Sequence, residues 1–335
     1  MACNILLLLV LVVLGSIASA RASAIANHTT GERLKAKEGA AVADLLLTAE
    51  AEGSWPPAAH VVVSEQEGAG NVMTIGKALE VAPADGTRFV ILIKAGVYQE
   101  YLNITRHNVV LLGEGIDKTN TAGLGQKQAL ALRSDTNESV FYKCSFEAFQ
   151  DTVYAENNLQ LFLYSKIYGT VDFIFGNAKA VFFECDLLVR RPVLGEHNVI
   201  TAQGRNSPIH ESGFVFERCR VQAAPGEDLT GVDTFLGRPW KNFSHVVFMD
   251  SFLGDIVNAT GWIPWKKDQV VEETTRTVAY LEYKNTGPKA DTRQRVNWEG
   301  FHVLSSAEQA KNYTVDRFIH GSQWVPRPLQ LLYRN

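Results

Sequence analysis

Cys144–Gly176 reads CSFEAFQDTVYAENNLQLFLYSKIYGTVDFIFG, and it contains two aspartates in nearly equivalent settings. Asp151 follows the apolar run Phe141–Phe146 and Asp172 follows the run Leu161–Ile167. Aligning the runs pairs Cys144 with Ser165, 21 residues on, and Asp151 with Asp172, also 21 residues on. If each run is a strand in a stacked repeat, the two carboxylates take the same place on adjacent layers. Neighbouring strands lie about 4.8 Å apart. Two carboxylates that close cannot both ionise freely, so one keeps its proton to higher pH. Such a pair divides into an acid and a base or nucleophile.

The same texture runs along the chain. Short apolar runs begin at Val109, Val181, Gly213, Val246 and Val278. Cys144, Ser165, Cys185, Cys219 and Asp250 serve as anchors, spaced 21, 20, 34 and 31 residues. Self-similarity near twenty residues, stretched by insertions, marks a coiled β-solenoid. A β-sandwich would show shorter spacings and Asn-Gly hairpin turns, which the sequence lacks. Cys185 and Cys219 occupy matching anchors of successive repeats, so a disulfide between them is expected in a secreted chain. Cys144 has no such partner, because its stacking neighbour is Ser165.

Upstream of the repeats the sequence changes character. Ile5–Leu14 is an unbroken apolar run followed by Ala18-Ser19-Ala20, the pattern of a signal peptide over residues 1–20. Residues 21–59 are Ala- and Glu-rich and read as a linker or truncated pro-segment. Lys35–Glu50 has the pattern of one short amphipathic helix. The solenoid is expected over 60–325 and a tail over 326–335. Six N-x-S/T sequons, at Asn27, Asn103, Asn137, Asn242, Asn258 and Asn312, agree with secretion as a glycoprotein. With 32 basic and 36 acidic side chains among 335 residues, the charge balance does not point to nucleic acid. No later segment approaches membrane-spanning length, and no Cys/His spacing marks a metal site.

Further groups gather around the aspartates by the same arithmetic. Gln150 precedes Asp151, and Gln128 lies 22 residues earlier, about one coil back. Amide N–H groups beside a carboxylate nucleophile suit an oxyanion in acyl transfer. Arg238, in Leu236-Gly237-Arg238-Pro239-Trp240, suits a bidentate hold on one aspartate. Trp240 offers a flat face to a sugar ring. No G-x-S-x-G elbow occurs, which argues against a serine hydrolase. Two carboxylates near 5 Å apart also suit a retaining glycosidase, but the glutamines and Arg238 favour ester chemistry.

Five stretches carry a specific resemblance: Gly96–Glu100, Gln128–Leu132, Gln150–Val153, Asp172–Gly176 and Leu236–Trp240. Together, and in this order, they resemble the signatures of plant pectinesterases, the pectin methylesterases. The resemblance implies a right-handed parallel β-helix, no cofactor, and pectin (homogalacturonan) as substrate in the cell wall. It further implies Asp172 as nucleophile, Asp151 as general acid and then base, and Gln150 and Gln128 as oxyanion donors. Arg238 would orient Asp172, while Trp240, Phe175 and Val171 would line the cleft. A proteinaceous inhibitor becomes a partner to expect, and the chain is expected to act as a monomer.

Two departures from the family pattern stand out. Residues 21–59 are too short for the family's inhibitor-like pro-domain. Gly113–Asn120 runs straight into Thr121-Ala122-Gly123, where relatives carry about forty residues, close to two coils. The missing stretch would include a substrate-contacting threonine and, in many members, the cysteine that partners the equivalent of Cys144. A pectin-binding protein with impaired catalysis is therefore the alternative.

Overall fold

Strands of three to six residues recur along the chain because each coil of backbone can satisfy its hydrogen bonds only on the coil before and the coil after. In the computed structural model, residues 58–66, 68–114, 119–121, 128, 130–265 and 271–334 are described. The expected signal peptide, the Lys35–Glu50 helix and all but the end of the 21–59 linker lie outside these residues. Three sheets of ten, seven and six strands run side by side, and the named strand pairs are all parallel. The expected parallel β-helix is the observed fold. A complete coil contributes one strand to each sheet, for example Leu159–Leu163, Lys166–Gly169 and Ile174–Gly176.

The interior explains the register. Phe141, Phe162, Phe182, Phe216 and Phe248 are fully buried and stand in register on successive coils. Their rings stack with centroids 4.5, 4.5, 4.7 and 4.5 Å apart and interplanar angles below 20°. Aromatic pairs of this kind add about 0.5–1.5 kcal/mol each beyond the area they bury. A slip of one residue would turn every ring outward, so the stack fixes the register of the whole solenoid.

Corners are built from left-handed residues. Lys143, Tyr164, Glu184, Arg218, Asp250 and Lys284 have φ between 45° and 56°, one per coil, where the ten-stranded sheet turns into the seven-stranded one. The inward anchor comes one residue later, as Cys144, Ser165, Cys185, Cys219 and Ser251. Asp250 is thus the corner residue, and the expected anchor moves to Ser251. Its hydroxyl accepts from the Cys219 N–H at 2.9 Å, as Ser165 Oγ accepts from the Cys144 N–H at 3.2 Å.

Cys144, Cys185 and Cys219 are buried free thiols, so the expected Cys185–Cys219 disulfide is not formed in the structure. The two do occupy matching positions, since Asp186 pairs with Arg220. Each thiol donates instead to backbone carbonyls, Cys219 to Phe182 at 3.1 Å and Cys185 to Phe162 at 3.5 Å.

The junction at 120–121 lies inside a single strand, Thr119–Thr121. It pairs with Val97–Tyr98 on one side and with Ser145–Glu147 on the other. Helix α1 (Ile75–Glu80) buries Ile75, Ala78 and Leu79 against the first coil. The Glu100 carboxylate accepts from the N–H groups of Ile75 and Gly76 at 2.8 Å, tying that helix down.

Of the segment 326–335, expected as a tail, the described residues 326–334 pack on the solenoid. Leu329 and Leu332 are buried, Tyr164 donates to the Leu332 carbonyl, and Tyr333 packs edge-on against Phe183. Apolar residues there cover the outer face of the ten-stranded sheet.

One buried ion pair closes the C-terminal coils. Arg295 and Glu282 are 1% and 2% exposed, and the guanidinium donates to both carboxylate oxygens, at 2.6 and 3.1 Å. It also donates to the carbonyls of Ala259, Lys289 and Asp291. Removing one partner strands the other charge in the interior. Arg295→Met is expected to lower unfolding free energy by about 3–5 kcal/mol, read from denaturant titration. A loss below about 1 kcal/mol would show that the pair behaves as a surface bridge.

Candidate active site

The second corner of each coil, between the seven- and six-stranded sheets, carries the chemistry. Asp151 and Asp172 sit there with φ of 62° and 51°. Aspartate tolerates this left-handed region better than most side chains, and such strain clusters at functional sites. Val153 pairs with Ile174, so the two aspartates occupy the same rank of adjacent coils, as the 21-residue offset predicts. The Asp151 N–H donates to the Val171 carbonyl at 3.0 Å, locking one corner onto the next.

Arg238 reaches Asp172 from two coils further on. Ile174 pairs with Thr201 and Thr201 with Gly237, so Arg238 emerges just after that rank. Its Nε and Nη2 donate to the two oxygens of Asp172 at 2.9 and 2.6 Å. This fork holds the carboxylate in one orientation, leaving its remaining lone pairs for a reaction. The back of the guanidinium lies 4.4 Å from the centre of the Trp265 ring, a residue that the sequence reading missed.

The environments of the two carboxyls differ. Burial pushes Asp172 upward, but the hydrogen bonds and charge of Arg238 pull it back, with a smaller pull from His197. Asp151 has no such fork. Burial first, and then the Asp172 charge, push it up to about 7, against a weaker pull from Arg238. Both carboxyls are raised overall, but the Arg238 fork favours the ionised form of Asp172, while Asp151, pushed up to about 7, keeps its proton to higher pH, the division that the pairing argument requires.

An aromatic floor continues from the pair. Phe175 stacks on Tyr154 at 4.5 Å and 6°, and meets Trp240 edge-on at 6.0 Å. Tyr154 was not singled out beforehand. It lies 21 residues before Phe175, so the same offset that found the aspartates points to it. Trp240 nestles against Gly204, where a Cβ would stand 2.7 Å from the indole, so that coil needs a glycine. Val171 is 9% exposed beside Asp172.

Gln150 is partly buried at the corner next to Asp151. Gln128 is exposed. Residues 122–127 and 129 around it are not among those described. Among the described residues, no group of three or more His, Cys, Asp or Glu side chains is placed to hold a metal ion.

The pectinesterase family model matches residues 60–119 and 116–322 of the chain. The chain belongs to the pectinesterase family. It is 41% identical to Pectinesterase 2 of Citrus sinensis, over 81% of this chain and 59% of that protein. Identity is also 41% to the probable pectinesterase/pectinesterase inhibitor 17 of Arabidopsis thaliana, over 82% of this chain and 59% of that one. The chain thus spans about three-fifths of the length of these curated relatives. Among solved structures, it matches the pectin methylesterase from carrot with a TM-score of 0.71 and 36% identity. That match covers 82% of this chain and 97% of the carrot one. The pectinesterase match encloses both aspartates, Arg238 and the aromatic floor.

Proposed function

We propose that the chain is a carboxylic-ester hydrolase that removes methyl groups from pectin. The observation that carries this is the fork of Arg238 on Asp172, with Asp151 in the same rank one coil earlier. Asp172 attacks the ester carbonyl, and the oxyanion that forms is met by the Gln150 amide. The bond to the methoxy oxygen breaks as Asp151 gives its proton to departing methanol. Asp151, now a carboxylate, takes a proton from water, and that water opens the acyl-enzyme and regenerates Asp172. Tyr154, Phe175 and Trp240 supply flat apolar faces for the sugar rings. The names of the Citrus and carrot relatives support the substrate class. The apolar leader Ile5–Leu14 supports action outside the cell, in the wall.

We infer in addition that the chain lacks about two coils that relatives carry at the 120–121 junction. The Citrus comparison runs over 310 positions yet covers only 81% of the 335 residues, and the family model matches in two separate pieces. Continuous pairing of Thr119–Thr121 with the coils on both sides supports a solenoid that closed up around the loss. The aspartate pair and Arg238 all lie after that point.

A product assay on methyl-esterified pectin tests the function. Methanol release without new reducing ends is expected; new reducing ends without methanol would make the protein a glycosidase. Because the acid is the protonated form of Asp151, kcat/KM should fall as pH rises through about 7. It should fall again on the acid side, as Asp172 takes up a proton. A profile that keeps rising above pH 8 would remove Asp151 from the acid role.

A further inference from the structure

We propose that Arg190 is the positioning residue of the acid/base corner, serving Asp151 as Arg238 serves Asp172. This rests on the esterase reading above. Tyr168 pairs with Glu147 and Gly169 with Val189, so Ala148, Gly169 and Val189 share one rank on three successive coils. Arg190 follows directly, and its N–H donates to the Gly169 carbonyl at 2.8 Å. Its side chain reaches back two coils to the segment that leads into Gln150 and Asp151. Nη1 donates to the Ala148 carbonyl at 3.1 Å, and the guanidinium carbon lies 4.1 Å from the centre of the Phe149 ring.

Arg238 makes the same kind of reach, two coils back to Asp172. On the intervening coil, Gly169 stands at the rank just before Arg190, opposite Val189. Gly169 can be nothing larger, because a Cβ there would stand 2.1 Å from the Phe173 Cβ. The two arginine side chains are also buried alike, 20% and 19% exposed. Glu227, a further coil on, steadies the arginine: one oxygen lies 3.8 Å from Arg190 Nε and the other accepts from the Arg191 N–H at 3.1 Å.

Physically, the corner 148–151 needs such support. Asp151 is held in a left-handed conformation and must serve twice, giving a proton and then taking one. Phe149 and Gln150 directly precede it in the chain, so a shift of the Phe149 backbone moves both the acid and the oxyanion donor. A planar, permanently charged guanidinium stacked on the ring and bonded to the preceding carbonyl fixes the ring and the backbone together. Arg190 is placed to act through this corner, and no contact with the ester carbon is asked of it.

The test is steady-state methanol release with Arg190→Met and Arg190→Lys, beside wild type. For Arg190→Met, kcat should fall by about tenfold to a hundredfold while KM stays within about threefold, the signature of misplaced reacting groups rather than lost binding. Arg190→Lys keeps the charge but not the plane, and should fall by at least about fivefold in kcat. If the methionine variant does not fold, the lysine variant decides by the same split. A kcat within twofold of wild type in the folded variants overturns the proposal. So does a raised KM with kcat preserved, which would make Arg190 a substrate contact. Methanol release by the wild type is the control that separates this from the esterase reading; without it both fall.

Discussion

Asp172→Ala is expected to abolish methanol release, with a fall of at least about a thousandfold in kcat. No other carboxylate is forked by Arg238, so nothing else is placed to form the acyl intermediate. Alanine brings two side effects that must be separated from the chemistry. It lacks the side chain that eases a φ of 51°, and it leaves the Arg238 guanidinium without its partner. Asp172→Asn answers the first, because asparagine accepts the left-handed region as readily as aspartate. It keeps one oxygen for Arg238 to meet and loses the nucleophile. Both variants should therefore be inactive, with asparagine the closer to wild type in thermal unfolding. More than a tenth of wild-type activity in either would remove Asp172 from the nucleophile role.

Arg238→Lys is the second large effect. Lysine keeps a positive charge, so a merely electrostatic role would be largely preserved. It cannot place two parallel N–H groups on Oδ1 and Oδ2, now met at 2.9 and 2.6 Å, and it loses the plane that stacks on Trp265 at 4.4 Å. Turnover should fall by about a hundredfold, with KM changed far less. The pH profile gives an independent reading of the same interaction. Burial raises the Asp172 pKa and Arg238 lowers it, so a weaker partner lets it rise. The acid limb of kcat/KM should accordingly move to higher pH in Arg238→Lys. An unmoved limb together with wild-type turnover would show that the fork is incidental.

Much of the site was legible in one dimension because the coils between its members carry no insertion. From Leu132 through Val153 to Ile174 the register advances by 21 residues each time. A constant offset in sequence is then a constant position in space. The offset found the aspartate pair and extends to Tyr154 and Phe175. It is less decisive where the spacing departs from 21. Gln128 lies 22 residues before Gln150, whereas the described coils from Leu132 on keep an offset of 21. Asp250 was mistaken for an anchor because a corner residue and the inward residue after it are both small or polar in several coils. Only the left-handed φ distinguishes them. Cys185 and Cys219 share a rank, as their place in the repeat suggests, and both are free thiols in the structure.

By itself, then, the sequence determined the stacking, the shared rank of Asp151 and Asp172, and the family. Those follow from hydrophobic period and from motif order, which are local properties repeated along the chain. What the tertiary structure adds is the grip of Arg238 on Asp172 rather than on Asp151. Arg238 lies 66 residues from Asp172 and meets it only because two further coils, one of them lengthened by insertion, carry it round to the same corner. Trp265 behind Arg238 and Arg190 against Phe149 are decided in the same way. A side chain's reach across coils depends on where each coil closes and on how small the intervening residue is. No local pattern encodes that.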